Sequence, residues 1–254
     1  MRTTAELPRI SYLGRFLDLI QVVAAAPEAG LTLSELAEQS GVPMSTASRL
    51  VRLLDEQGLV RRQPDKRIIP GPALLTLGLR SLRRLPTDRY HEAVQTLSDL
   101  TGESVSVGLV FGGELTLVAR RESAHPLRYV ASVGDAIAPH RSAMGKAILA
   151  HTSPPQRYEI VRQAVGAKAH AVLADLAGEL AEVLETGVAR DEEAFAVGLR
   201  CIAAPLLDPD GEAVGAVSIS GPSARFTRQL ANGFVPELLG QTWRLSQMPI
   251  AVGA

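Results

Sequence analysis

Between Thr32 and Gly58 the chain sets two helix starts and two helix stops close together, and that order admits few local folds. Thr32-Leu33-Ser34-Glu35 reads as a capping box: the threonine caps a helix and Glu35 returns the hydrogen bond. This helix is short, turns Leu36 and Ala37 inward and stops at Ser40-Gly41. Pro43 suits the first turn of the next helix, where its missing N–H is no loss, and Gly58 closes that helix after Gln57. Ala37 and Gly41 supply the small residue and sharp turn that let the two helices cross closely. Ahead of them, Leu13, Phe16, Leu17, Ile20 and Ala24 recur at helical spacing up to Pro27 and Gly30. Behind them, Leu59–Arg62 reads as a strand, Gln63–Lys66 as a turn and Arg67–Ile69 as the returning strand. The expectation is a helix-turn-helix with a β-wing.

Chemistry on the helix after Pro43 points the same way. Ala47, Leu50, Val51 and Leu54 form its inward face, while Ser45, Ser48, Arg49 and Arg52 run along another side with Thr46 beside them. Short hydroxyls let the backbone approach DNA, and arginine offers a fork for phosphate or guanine. Arg61, Arg62, Lys66 and Arg67 make the wing basic, suited to phosphates. The formal net charge of the whole chain is −1, so the argument rests on this local pattern. Taken alone the helix is equally an ordinary hairpin partner with a solvated polar face. The capping box, helix crossing, polar stripe and basic wing in sequence favour DNA. The candidate contacts are Thr32, Ser34, Pro43, Met44, Ser45, Thr46, Ser48, Arg49, Arg52, Arg61, Arg62, Lys66 and Arg67.

At 254 residues the chain exceeds one ordinary compact domain, and 46% hydrophobic against 21% charged residues suffices for real cores. Residues 1–71 are assigned to the winged helix-turn-helix, 72–88 to a linker helix carrying Leu74, Leu75, Leu77, Leu79 and Leu82 with Arg80, Arg83 and Arg84, and 89–254 to a second domain. There Tyr90, Ala93, Leu97 and Leu100 mark a helix, and Ser104–Val110 and Leu115–Arg120 a hairpin through Gly112-Gly113. Leu127–Val130 reads as a further strand, followed by a loop and a helix over about Ser142–Ala150. Gln156–Gly166 and Leu173–Glu185 read as helices, Leu199–Leu206 and Ala213–Ser220 as strands around Asp208-Pro209-Asp210-Gly211, and Gln229–Ser246 as one last helix. No apolar signal core occupies Met1–Ile10, and Leu19–Ala26 falls short of a membrane span, so the chain is expected in the cytoplasm.

Alternation places Leu199, Cys201 and Ala203 on one face of their strand, and Ala216, Ser218 and Ser220 on one face of its partner. If those faces coincide, Cys201, Ser218 and Ser220 form a small polar patch on an apolar sheet, open to backbone N–H groups at the start of the Ser142 helix. The patch is either a ligand site or small sheet residues around a core cysteine. A cysteine nucleophile paired with His91, His125, His140, His151 or His170 is a rival, but no histidine sits in a local catalytic signature, and no catalytic residue is assigned. Gly145-Lys146 fails as a phosphate loop, since His140 and Ala147 stand where glycine and Ser/Thr are required. With one cysteine and no two histidines at i, i+3 or i+4, no metal site or cofactor is expected.

Thr32–Gly58, Gly71–Gly78, His140–Ala150, Gly187–Glu193, Gly198–Pro205 and Ser218–Pro222 together resemble the IclR family of bacterial transcriptional regulators, over nearly the whole chain and in order. The resemblance implies an α+β chain: an N-terminal winged helix-turn-helix, a linker helix and a GAF-like α/β sensor domain with a largely antiparallel sheet. It implies a homodimer or dimer of dimers on a palindromic double-stranded operator, repressing or activating. It also implies a small organic effector, a carboxylate or polar aromatic, lined by Tyr129, Ile137, Ala143, Met144, Asp191, Cys201, Ala203, Ser218 and Ser220. In that scheme Ala143 and Met144 act through backbone N–H groups and no cation lies on the floor. The alternatives are a winged-helix protein whose second domain serves only oligomerisation, or a cysteine-dependent enzyme. Two stretches depart from the family: Ile68-Ile69-Pro70-Gly71 replaces Tyr-x-Leu-Gly, so Pro70 is expected to shorten the second wing strand, and Lys168–Leu180 is alanine-rich without the usual threonine turn.

Overall fold

The computed structural model describes residues 12–82 and 87–247. The chain divides into two compact units, Met1–Arg84 and Leu85–Ala254. The sequence places the linker over 72–88, and its Arg83 and Arg84 lie outside the described residues.

In the first unit α1 (Tyr12–Ala24), α2 (Leu33–Ser40) and α3 (Met44–Glu56) precede β1 (Val60–Arg62), β2 (Ile68–Pro70) and α4 (Pro72–Leu82). The α2 capping box forms: Glu35 N–H donates to Thr32 Oγ1 at 3.2 Å, and Thr32 N–H donates to Glu35 Oε2 at 2.7 Å. Gly41 ends α2 in the left-handed region at φ 65°, where a side chain would be strained. Pro43 is the N-cap of α3 rather than its first helical residue. Leu19, Val23, Leu36, Ala47, Leu50, Val51, Leu54, Val60 and Ile68 close one core. Both wing strands are three residues long, and Pro70 is the last of β2, paired with Val60.

In the second unit α5 (Thr87–Thr101) leads into β3 (Ser104–Phe111) and β4 (Glu114–Arg121). Then come α6 (Ala143–Ala150), α7 (Pro154–Val165), α8 (Ala169–Thr186), β5 (Ala189–Glu192), β6 (Leu199–Leu207), β7 (Ala213–Pro222), α9 (Arg228–Gly233) and α10 (Val235–Ser246). The strands make one antiparallel sheet in the order β4-β3-β7-β6-β5. Val105, Val107, Leu109, Ile202, Ala204, Val217 and Ile219 meet α5 and α10 on one face. Leu115, Leu117, Cys201, Ala203 and Ala216 meet α6, α7 and α8 on the other.

Two local readings are corrected, and two stretches are added to them. Leu127–Val130 is not a strand: Leu127 and Val130 are exposed, and the backbone paired with β4 comes later, where Ile137 N–H donates to Leu115 O at 2.8 Å. The last helix breaks between Gly233 and Val235, because Pro236 in the first turn of α10 has no N–H to continue the ladder. Ala189–Glu192, with three charged residues of four, forms the edge strand β5 without an apolar alternation to announce it. The alanine-rich stretch from Lys168 is helix, entered through a single 3₁₀ turn at Gly166–Lys168. None of the described helices is long and apolar enough to cross a membrane.

Candidate functional site

Two surfaces carry the residues of interest, one in each unit. On α3 the apolar residues Ala47, Leu50, Val51 and Leu54 are buried, which leaves Met44, Ser45, Ser48, Arg49 and Arg52 exposed and Thr46 half-buried. Ser34 and Pro43 are exposed nearby. The Arg49 guanidinium lies 5.5 Å from the centre of the Tyr12 ring, a cation–π contact that holds it at the surface. Among the described residues Arg52 makes only a long 4.0 Å contact with Glu56 along its own helix. In the wing, the side chains of Arg61, Arg62 and Lys66 are exposed and have no hydrogen bond or ion pair among the described residues. Lys66 itself sits at φ 68°, in the turn between the strands.

Two of the candidate contacts are committed within the protein. Thr32 spends its hydroxyl on Glu35, donating to Oε2 at 2.9 Å as well as accepting from the backbone. Arg67 Nη1 donates to Gly30 O at 2.9 Å and stands 3.7 Å from Glu35, tying the wing to the entry of α2. Hydrogen bonds donated by the Thr32 backbone N–H and hydroxyl, with the Arg67 charge behind them, hold the Glu35 carboxyl below its ordinary range. Free wing charge therefore rests with Arg61, Arg62 and Lys66.

In the second unit the register answers the question that alternation left open. Cys201 pairs with Ser220 and Ala203 with Ser218, so the two small-residue faces coincide. The rows continue across the sheet: Ser218 pairs with Ser106, and Ser106 with Arg120. Above them a partly open cavity of about 30 Å³ is lined by Tyr129, Ile137, Ala143, Met144, Cys201, Ser218 and Ser220 among others. Met144 is seated by Gly108, where any Cβ would come 2.4 Å from its sulfur. Gly145 lets the start of α6 cross the Pro139 backbone, 2.1 Å from where a Cβ would stand. Ser142 caps α6 by accepting from Gly145 N–H at 3.0 Å.

Asp191 and Ala203 do not line the cavity. Asp191 is fully buried and its carboxylate is spent on the N–H groups of Ala194 at 2.9 Å and Phe195 at 3.2 Å, while burial pushes its pKa up. Ala203 is sealed into the core beside Ala189. The expectation of a floor without a cation is also corrected, because Arg120 stands on the cavity wall with Ser106 and Phe195. Arg120 escaped sequence reading for a definite reason. A β-bulge between Val107 and Gly108 rotates β4 after Leu117, so Arg120 joins the face of Leu115 and Leu117 instead of alternating away from it.

The rival chemistries find poor ground here. Burial pushes the Cys201 thiol up to about 12, Ser220 is its hydrogen-bonding neighbour, and no histidine is among the cavity-lining residues. Lys146 is buried, with Nζ donating to Glu179 Oε2 at 2.5 Å and to Arg190 O at 3.2 Å, so it anchors α6 to α8. Among the described residues no group of His, Cys, Asp and Glu side chains is placed to hold a metal ion.

Comparison with known proteins covers both units. Residues 13–64 match the family model of the IclR helix-turn-helix domain, and residues 87–246 that of the bacterial transcriptional regulator IclR C-terminal domain. The chain is 31% identical over 233 residues to the transcriptional repressor IclR of Escherichia coli, a match covering 89% of this chain and 85% of that one. It shares its fold with an ICLR regulator structure from Silicibacter sp. (TM-score 0.79, 23% identity, covering 93% and 95%). It shares it also with an IclR homologue from Microbacterium hydrocarbonoxydans complexed with 4-hydroxybenzoate (TM-score 0.69, 20% identity, covering 94% and 100%). Both halves match in order along one polypeptide, and the chain belongs to the IclR family of bacterial transcriptional regulators.

Proposed function

We propose that this regulator reads an operator with α3, holds phosphates with Arg61, Arg62 and Lys66, and changes its operator affinity when a small organic molecule fills the cavity over Cys201, Ser218 and Ser220. It acts in the cytoplasm as a homo-oligomer on palindromic DNA. The observation that carries the proposal is the cavity itself: its polar side chains lie together on one sheet face, under the N-terminal turn of α6. The 4-hydroxybenzoate complex of the Microbacterium homologue supports a small-molecule role for this domain. The domain boundaries at 71 and 88 belong to the same reading.

Gel shifts on the DNA upstream of the coding sequence test it. Arg49→Ala is expected to relax sequence discrimination by about 1–3 kcal/mol, whereas Lys66→Ala weakens all sequences alike and flattens the salt dependence. A ligand is expected to shift operator affinity roughly five- to a hundredfold. Ser220→Leu, which fills the cavity, should leave operator binding intact and remove that response. Unaltered discrimination by Arg49→Ala would displace the recognition helix, and an unaltered ligand response in Ser220→Leu would displace the sensing site. If no ligand alters the gel shift, the second domain serves oligomerisation alone.

A further inference from the structure

We propose that the loop between β5 and β6, residues 193–198, is the door of the cavity, and that Arg141 and Asp191 are the positioning residues that hold it shut. The inference rests on the reading of the cavity as a ligand site and adds to it the way in.

With about 30 Å³ of room, the cavity seats one or two waters. An organic molecule enters only if a wall moves. The lining residues on β3, β4, β6 and β7 are locked into the sheet, and Ser142, Ala143 and Met144 form the start of α6. Tyr129, Ile137 and Phe195 lie outside helices and strands. Ile137 belongs to a stretch laced to β4 by backbone: Ile137 N–H donates to Leu115 O at 2.8 Å, and Leu117 N–H to Asp135 O at 3.0 Å. Phe195 is held in another way.

At the base of its loop Glu193 N–H donates to Leu199 O at 3.0 Å. Beyond that base, the backbone of Ala194 and Phe195 is gripped by side chains. Asp191 Oδ1 accepts from Ala194 N–H at 2.9 Å and from Phe195 N–H at 3.2 Å. Arg141 donates to Ala194 O through Nε at 2.9 Å and Nη2 at 2.6 Å, and to Phe195 O through Nη2 at 3.1 Å. One acid thus holds the N–H groups, and one base the carbonyls, of the same two residues. The Phe195 ring closes edge-on against Tyr129, with centroids 5.8 Å apart. On the outside Val197 is 94% exposed, so little surface resists a swing of the loop. Glu193 at φ 69° and Gly198 at φ 79° mark sharp bends at its two ends, where a hinge would turn. The two grips differ in strength. Asp191 is fully buried, whereas Arg141 is exposed and water competes for its bonds. Arg141 therefore lets go first. It directly precedes Ser142, Ala143 and Met144, so a molecule that spreads α6 from Phe195 pulls on this grip.

Cys201 is the single cysteine of the chain, is buried and lines the cavity, so a thiol reagent reaches it only through an opening. Labelling of the full chain with methyl methanethiosulfonate, followed by mass spectrometry, reads that opening without any ligand. Arg141→Ala is expected to be labelled roughly tenfold faster than the wild type, and Arg141→Lys at a rate between them. Hydrogen exchange of the β6 and β7 amides should stay as in the wild type. Arg128→Ala removes the 2.8 Å bond to Glu122 that ties down the stretch before Tyr129, and should label like the wild type. A wild-type rate in Arg141→Ala overturns the proposal. Equal acceleration in Arg128→Ala does so too, by moving the way in to Tyr129. Acceleration with faster exchange throughout β6 and β7 also overturns it, because loss of the fold then exposes the thiol. Should Arg141→Ala not fold, exchange in the wild type decides: Ala194 and Phe195 amides that open well ahead of β6 support the door, and opening together with β6 rejects it. A ligand response that survives Ser220→Leu removes the cavity as the sensing site, and with it the door's purpose, even where labelling shows that the loop opens.

Discussion

His140, Cys201 and Arg120 show how far one side chain's chemistry depends on what surrounds it. All three types are reactive or charged in water, and here burial opposes the charged form of each. His140 precedes α6, with Nδ1 buried and unpartnered, and burial together with the Arg141 charge holds its pKa below the ordinary 6.5. The folded state thus binds this proton less readily than the unfolded chain does. The resulting stabilisation is present above about pH 6.5 and is lost as pH falls through the folded value. The Tm is expected to decline between pH 7 and 5, and His140→Gln to flatten that decline. A slope unchanged in the variant would assign the acid sensitivity to other groups. None of these three environments is visible in the neighbouring letters of the sequence. For Arg120 the local letters mislead, because alternation through β4 ignores the bulge.

Among elements, those whose signals are local were legible from sequence. The α2 capping box needs only Thr32 and Glu35, three residues apart, and both of its backbone bonds form. Thr32→Ala is expected to destabilise the first unit by about 1 kcal/mol and Thr32→Ser by much less, read from chemical denaturation followed by helical ellipticity. Equal stability of both variants with the wild type would mean that packing alone holds α2. The hairpin β6–β7 was legible for the same reason: its turn residues and alternation are contiguous, and its register pairs Cys201 with Ser220. Legibility fails where partners are distant or polar. β5 carries Arg190 and Asp191 and owes its place to β6, while Leu127 and Val130 have strand-like side chains but no neighbouring strand. The single helix expected at the C-terminal end fails at Pro236, whose backbone consequence outweighs the continuous apolar pattern around it.

For the whole molecule, the first unit presents apolar residues on the outer faces of two helices. Tyr12, Leu13 and Leu17 on α1 are exposed, as are Leu75, Leu77, Leu79 and Leu82 on α4, a helix with no buried residue at all. One helix-turn-helix touches too little DNA for specific regulation, and a two-fold dimer reaches half-sites about one helical turn, or a multiple of it, apart. We expect sedimentation at micromolar concentration to give a dimer or larger, and Leu13→Glu with Leu17→Glu to weaken both assembly and operator binding. A monomer that binds its operator tightly would refute this. The sequence by itself determined the order of the two units, the helix pair α2–α3, the wing and most of the strand pattern, because helix caps, turn residues and apolar periodicity act between residues close in the chain. Tertiary structure alone decided which polar groups share a cavity. Strand register and one bulge bring Arg120, Ser106, Ser218 and Cys201 to a common wall and turn Asp191 away from it. Those residues come from four strands spread along the chain, and their meeting depends on backbone pairing between segments that carry no local mark of one another.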